Sequence, residues 1–518
     1  TDTGSVAAAD LNTLDGKTTG VVTSSNVTAV TGSYSDVNTA YSSAGISGLG
    51  DEAVTLSDSA TVAQANSLDA LTSGVVTATI STNDIETLED LTGTGNAYTI
   101  TVADASVSAA KLNALDGKTT GSITVSSSTV TGTVTEVTTA YNSAGITGLG
   151  EEAITISDTT SITVAQANAL DALTSGVVTA TISTNDSDSL EDLTGTGNAY
   201  TITVADASVS AAKLNALDAK TTVAITVSSS TVTGTVTAVN TAYSSAGITG
   251  LGSEGITIDS GTASVSEVNT LSALTSGVLT ATVTEGDMST LEGITEAGNA
   301  LSITVTDSSV DASALTALDA ITTAPVDVDS TTLTGTNAEQ IAAYKAFNDG
   351  TITGLDNAFD AASYLASHSD LLESYTLATV KTQFFDFGVS EGRTLDSFDE
   401  ALYLASHDDL LDYFGTDTSN VTSHYVNFGY SEGRSVDSFD ELGYIASHSD
   451  LIDAIGVDET TAVSHYINFG YGEGRSVTFD AQSYLDANAD LKSAINDDLE
   501  LAKKHYILHG ADEGRALA

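Results

Sequence analysis

Thr61–Asp84 reads TVAQANSLDALTSGVVTATISTND. Thr163–Asp186 reads TVAQANALDALTSGVVTATISTND, 102 positions later, with Ser67 against Ala169 as the only difference. A catalytic site needs to be built once. A unit spelled again almost letter for letter is built to contact its own copies, so the chain is constrained to an array of like elements. The period runs through residues 1–356. Leu68, Leu170 and Leu271 hold one phase of it, and Leu115, Leu217 and Leu318 another. Each long period contains about four units of roughly 25 residues, the spacing of a solenoid coil.

The units have two ingredients. In SITVSSS, Ile123 and Val125 point one way and Ser122, Thr124 and Ser126 the other, the pattern of a half-buried strand. Ser106–Gly117 (SVSAAKLNALDG) reads as a short helix with Leu112 and Leu115 on one face. Ser108 is expected to cap it, Val107 and Leu112 to form a staple, and Gly117 to supply a left-handed stop. TGTVTEVTTAYNS is a second helical type, with Val137, Ala140 and Tyr141 at helical spacing. The third copy, Ser264–Asp287, keeps Leu271, Leu274 and Ala281 at inward positions and exchanges Val178 for Leu279 and Ile182 for Val283. Such small units bury little alone and must stack. The expected fold class is an elongated parallel β-solenoid, one strand plus one short helix per coil. About thirteen coils at roughly 4.8 Å each would give a rod on the order of 60 Å.

The composition changes near residue 345. Every Phe lies at or beyond Phe347, every Arg at or beyond Arg393, and every His at or beyond His368. Residues 357–518 repeat with a shorter period: FDAASYLASHSDLL from Phe359, FDEALYLASHDDLL from Phe398, FDELGYIASHSDLI from Phe439 and FDAQSYLDANADLK from Phe479. Asp360 is a good N-cap, and Phe359 with Tyr364 fits a staple. A second helix is expected from His424 through Phe428, stopped at Gly429. Each copy then reads as a helical hairpin, and the four as an α-helical array.

The net charge is −55, from Asp+Glu 69 against Lys+Arg 14. This repels nucleic acid and anionic lipid, and it suits a solvated surface that attracts divalent cations. With Cys 0, there is no disulfide framework or thiolate chemistry. No run approaches the roughly 18 apolar residues of a membrane span, and no basic-then-apolar leader opens the sequence.

The phrases LNALDGKTTG, AYNSAGITGLGEEAITISD and LDALTSGVVTATIS resemble repeats of giant secreted cell-surface proteins of marine cyanobacteria and other marine bacteria, often labelled hemolysin-like. The FDxxxYLASHxDL…HYxxFGxxEGR pattern is similar to short repeats of secreted surface-layer, protease and adhesin proteins. The resemblance implies secretion to the cell exterior by a one-step route without an N-terminal signal. The GGxGxD nonapeptide of calcium-loaded β-rolls is absent, so calcium ligands cannot be carried over from it.

Several constellations carry candidate chemistry. Asp51 with Glu52, and Glu151 with Glu152, follow a Gly-Leu-Gly turn, as does Glu254 after Ser253. Asp327 and Asp329 stand in VDVDS. These carboxylates are the calcium candidates, with a solvated turn as the alternative. Gly388-Val389-Ser390-Glu391-Gly392 and Gly429-Tyr430-Ser431-Glu432-Gly433 match GxSxG, but a nucleophile elbow needs a preceding strand, and here a helix precedes. His368, His407 and His448 recur two residues before Asp370, Asp409 and Asp450, which suggests aligned ligands or bonds to helix-end backbone. Glu391–Arg393, Glu432–Arg434, Glu473–Arg475 and Glu513–Arg515 are expected to tie neighbouring hairpins. Thr77 and Thr79, Thr99 and Thr101, Thr179 and Thr181, and Thr280 and Thr282 form outward TxT pairs, which suit a wet strand face or an ice-binding ladder. A carbohydrate-cleaving β-helix would need basic and aromatic residues, and the chain before residue 345 has no Arg, His, Trp or Phe.

The expectation is a non-enzymatic, extracellular structural protein at the cell surface. It would assemble with itself into a filament or surface layer through uncapped solenoid ends and the helical array. The alternative is an adhesin whose helical array grips a ligand such as cell-surface polysaccharide.

Overall fold

The structure, a computed structural model, describes residues 3–517. The chain divides into two compact units between Thr282 and Val283.

The first unit is α/β, with short parallel strands paired in open sheets and short helices between them. One sheet runs Ser5–Ala7, Ala29–Gly32, Ala53–Leu56, Val76–Thr79, Ala97–Val102, Ile123–Val125, Ile146–Thr147. The strand Ala97–Val102 belongs to two ladders, since its first half pairs with Val76–Thr79 and its second with Ile123–Val125. The register shows why the sequence repeats. Val6, Val30, Val54 and Val76 stand opposite one another in succession. The same inward column recurs as Val107, Val130, Ile154 and Val178, and again as Val209, Val232, Ile256 and Leu279. From Val30 onward every one of these is buried. β-Branched side chains in a column interlock along a parallel ladder, which fixes the register against a one-residue slip.

The helices between strands bury the leucines that hold the phase: Leu68, Leu170 and Leu271 are fully buried. Thr61 with Gln64, Thr163 with Gln166 and Thr133 with Glu136 close reciprocal capping boxes. The helix at Ala109–Asp116 forms as expected, but with different ends. Ser108 occupies the N-cap without a side-chain bond, because it is also the last residue of the strand Ser106–Ser108. Gly117 sits at φ −68, not in the left-handed region. A right-handed exit there sends the chain directly toward its next strand, Ile123–Val125.

The second unit begins with the same kind of structure. Ala300–Val305, Val326–Val328 and Ile352–Thr353 pair in parallel, as do Ser309–Asp311 and Thr332–Thr334. The boundary expected at 356/357 lies inside this unit. The 13-residue helix Asn337–Asp349 ends at Gly350, whose φ of 82 is the left-handed stop. Its Tyr344 is buried against Phe359, Phe384 and Phe385. Asn337 accepts from the Leu395 amide at 2.8 Å, and Asn348 donates to the Phe385 carbonyl at 2.7 Å.

The helical copies differ from simple hairpins. In the second copy Glu400–Ala405 is followed by Asp408–Phe414, then by Val421–His424 running on into a π-turn at Tyr425–Gly429. The third and fourth copies have the same three segments. The break comes at His407, whose extended backbone (φ −140) ends one helix and starts the next. Asp360, Asp399, Asp440 and Asp480 cap their helices as expected, and Phe359 packs on Tyr364 at 5.5 Å. Gly429, expected as a stop, is instead buried inside the helical run. The left-handed stop is Gly433 (φ 71), with Arg434 N–H donating to the Gly429 carbonyl at 2.9 Å. Among the described residues no helix is long and apolar enough to cross a membrane.

Candidate functional site

The acidic turns after Gly-Leu-Gly fold inward. Glu52 and Glu152 are buried, while Asp51 and Glu151 face solvent. The Glu52 carboxylate accepts from the Gly50 amide at 2.8 Å and the Asp51 amide at 3.2 Å, so it closes its own turn. Glu152 does the same with Gly150 and Glu151 and also accepts from the Tyr141 hydroxyl. Glu254 repeats the arrangement with Tyr243. Burial pushes the Glu254 carboxyl up, but the Tyr243 hydroxyl and the turn amides outweigh it and hold the group below the ordinary range. Burial, and then the hydrogen-bonded carboxylate, drive Tyr141 and Tyr243 upward. In the first copy the Tyr41 hydroxyl is buried without a partner. Asp327 accepts from Thr353 at 2.9 Å, and Asp329 is exposed two residues further on. Among the described residues no three His, Asp or Glu side chains gather as a metal-binding group.

The TxT threonines alternate outward. Thr77 and Thr79 are exposed while Val76 and Ala78 are buried. They fall in columns: Thr31, Thr55 and Thr77 stand in register, as do Thr131, Thr155 and Thr179, and Thr233, Thr257 and Thr280.

In the helical array, Ser390 and Ser431 of the two GxSxG matches donate to the carbonyls of Phe387 and Phe428, both at 2.8 Å. They lie in helix ends, not in a strand-to-helix elbow. His368 and His407 contact the Thr394 and Ser435 carbonyls at 2.8 Å. Asn488 replaces the histidine in the fourth copy and donates to Ala516 at 2.8 Å. The acid–arginine pairs act within one copy rather than between neighbours. Arg434 binds Glu432 through Nε and grips Asp409 through both terminal nitrogens. Arg393 with Asp370, Arg475 with Asp450 and Arg515 with Asp490 repeat the clamp. The geometry explains this. The asparagine or histidine and the aspartate two residues later open the middle segment, and the Glu-Gly-Arg turn folds back onto that opening.

Successive copies are joined by other residues, which sequence reasoning missed. Ser406 accepts from the amides of Ser438 and Phe439, both at 3.0 Å, and Ser447 accepts from Thr478 and Phe479. Ser367 accepts from Ser397 at 2.7 Å. The signal was present: the serine of ASH recurs in the first three copies and is Ala487 in the fourth. Also missed were the outward rings Phe387, Phe428 and Phe469, each more than half exposed at equivalent positions.

Compared with protein-family models, with curated proteins and with solved structures, the chain matches none.

Proposed function

We propose that this chain is a non-catalytic, extracellular structural protein. In this reading its repeats form a β-solenoid, and it polymerises at the cell surface into a filament or layer. The observation that carries the reading is the register. Strands about 24 residues apart, alike in their alternation though not identical in sequence, pair in parallel with their inward columns matched. A ladder edge that accepts the next repeat of its own chain presents the same backbone groups and apolar knobs to a repeat from another molecule. The acidic surface keeps such a polymer dispersed from nucleic acid and anionic membranes and leaves it open to bridging by divalent cations such as calcium. The helical array would supply the second contact.

Electron microscopy of the purified chain, with and without calcium, tests this. Ordered filaments or sheets are expected, and dispersed single particles under both conditions overturn the reading. A second reading, an adhesin whose helical array holds a ligand, is favoured by the outward aromatic rings of that array. The threonine columns would also suit ice, and thermal hysteresis measured on the intact chain decides that separately.

A further inference from the structure

The second helical copy differs from its siblings at one place. Between Asp408–Phe414 and Val421–His424 lies a cleft of about 780 Å³, lined by Asp409, Tyr413, Phe414, Asn427, Phe428 and Arg434 among others. Tyr413 is 81 % exposed and Phe428 58 % exposed. Their rings belong to one continuous wall. Tyr413 stands edge-on to Phe414 at 4.8 Å, Phe414 edge-on to His424 at 5.9 Å, and His424 lies 5.8 Å from Phe428. The same cleft is lined by the Asp409–Arg434 clamp, closed by two hydrogen bonds of 2.8 and 2.7 Å.

Repetition supplies the control. The positions of Tyr413 and Phe414 are Ser374 and Tyr375 in the first copy, Ala454 and Ile455 in the third, and Ala494 and Ile495 in the fourth. The third segment of the third copy starts at Glu459, capped by Asp458, whereas in the second copy the equivalent aspartate, Asp417, accepts from the Ser419 amide and the helix begins only at Val421, as it does at Val380 in the first copy. Tyr413 is the largest side chain at its position in the four copies, and it stands in solvent rather than filling space.

We propose that this cleft is a binding site for a neutral saccharide. The apolar C–H face of a pyranose lies flat on an exposed aromatic ring, and its vicinal hydroxyls match a planar carboxylate–guanidinium pair. Asp409 keeps acceptor capacity beyond its two bonds to Arg434. The charge balance disfavours acidic glycans: the cleft's one arginine is already paired with Asp409 and Glu432, in a chain of net charge −55. The assignment does not depend on polymerisation.

The test uses the full chain in dispersed form. Hexaoses of glucose, galactose, mannose and N-acetylglucosamine are titrated, and binding is read by saturation-transfer NMR and calorimetry. At least one is expected to bind saturably, with transfer strongest to ring C–H protons. Tyr413→Ala is expected to weaken it roughly tenfold or more, while Tyr413→Trp keeps it. Both substitutions are at an exposed position, so folding is expected to survive, and circular dichroism checks this. No saturable binding to any of the four sugars, or binding unchanged in Tyr413→Ala, overturns the proposal. Binding of a lysine-rich peptide that Tyr413→Ala abolishes, with no sugar bound, overturns it in favour of a basic peptide.

Discussion

The hydroxyl of Tyr403 occupies the space that a side chain at position 429 would need. A β-carbon placed on Gly429 would fall far inside contact distance of it, and the same holds for Tyr444 on Gly470 and Tyr484 on Gly510. In the first copy a β-carbon placed on Gly388 would lie 2.5 Å from the Tyr364 hydroxyl. The buried tyrosine reaches the backbone of the π-turn, and the glycine is what admits it. The glycine that closes each π-turn is therefore a packing residue.

Gly470→Ala should consequently cost about 1–3 kcal/mol, the usual penalty for forcing extra volume into a packed site. Gly472→Ala, two residues on, should change stability by less than about 0.5 kcal/mol, since a β-carbon there meets nothing nearer than the Phe469 carbonyl at 3.6 Å. Denaturant unfolding followed by circular dichroism measures both. Equal effects at the two glycines would remove the explanation.

The buried turns give a second contrast inside one molecule. Tyr141 donates to the buried carboxylate of Glu152, whereas its counterpart Tyr41 has a buried hydroxyl with no partner. Tyr141→Phe should destabilise by about 1.5–3 kcal/mol, the range for hydrogen bonds to charged groups. Tyr41→Phe removes an unsatisfied group and should be neutral or stabilising. Thermal unfolding of the two single variants against the parent protein decides it.

The histidines of the array set a pH dependence. Burial, then the nearby Arg434, lower His424; Glu432 and Asp409 oppose this without cancelling it. Burial and Arg475 lower His448, and burial and Arg515 lower His505. Each group binds a proton more readily unfolded than folded. Their contribution is therefore whole above about pH 6.5 and is lost as pH falls through the folded values. Relief of repulsion among the many carboxylates acts in the opposite direction, so the readout is a difference. Between pH 7.5 and 5.5 the parent should lose stability relative to a variant carrying His424→Gln, His448→Gln and His505→Gln. A difference that stays constant, or rises, contradicts the assignment.

Much of the local structure was legible because each unit carries its own signals. The alternation in SITVSSS gives the strand Ile123–Val125, and the Asp of each FD gives a helix cap. The errors lie where two distant segments compete for one residue. Ser108 is claimed by a strand before it can cap a helix, and Gly429 is claimed by Tyr403 from an earlier helix rather than by the local stop. The reach of Arg434 across to Asp409, 25 residues away, is likewise set by how the copy closes. The acidic pairs divide for a similar reason: Glu52 turns back onto its own amides while Asp51 faces water, a split that adjacent letters do not show. The cleft of the second copy was legible in principle, because Tyr413 breaks the pattern of its repeat.

The last expectation concerns additivity. Leu68 and Leu170 are both fully buried and sit in the same sequence one long period apart. In the proposed solenoid, four strand spacings of about 4.8 Å would set them roughly 20 Å apart, beyond any shared packing partner. Leu68→Ala and Leu170→Ala should each cost about 2–5 kcal/mol, agree with each other to about 0.5 kcal/mol, and sum in the double variant. Because each unit touches only its neighbours, loss of hydrogen-exchange protection in Leu170→Ala should centre on Ala153–Ile156 and Val178–Thr181 and fade toward Ala29–Gly32. Uniform loss of protection across the first unit would mean that its units do not stack as a one-dimensional array, and the basis for pairing repeats between molecules would go with it.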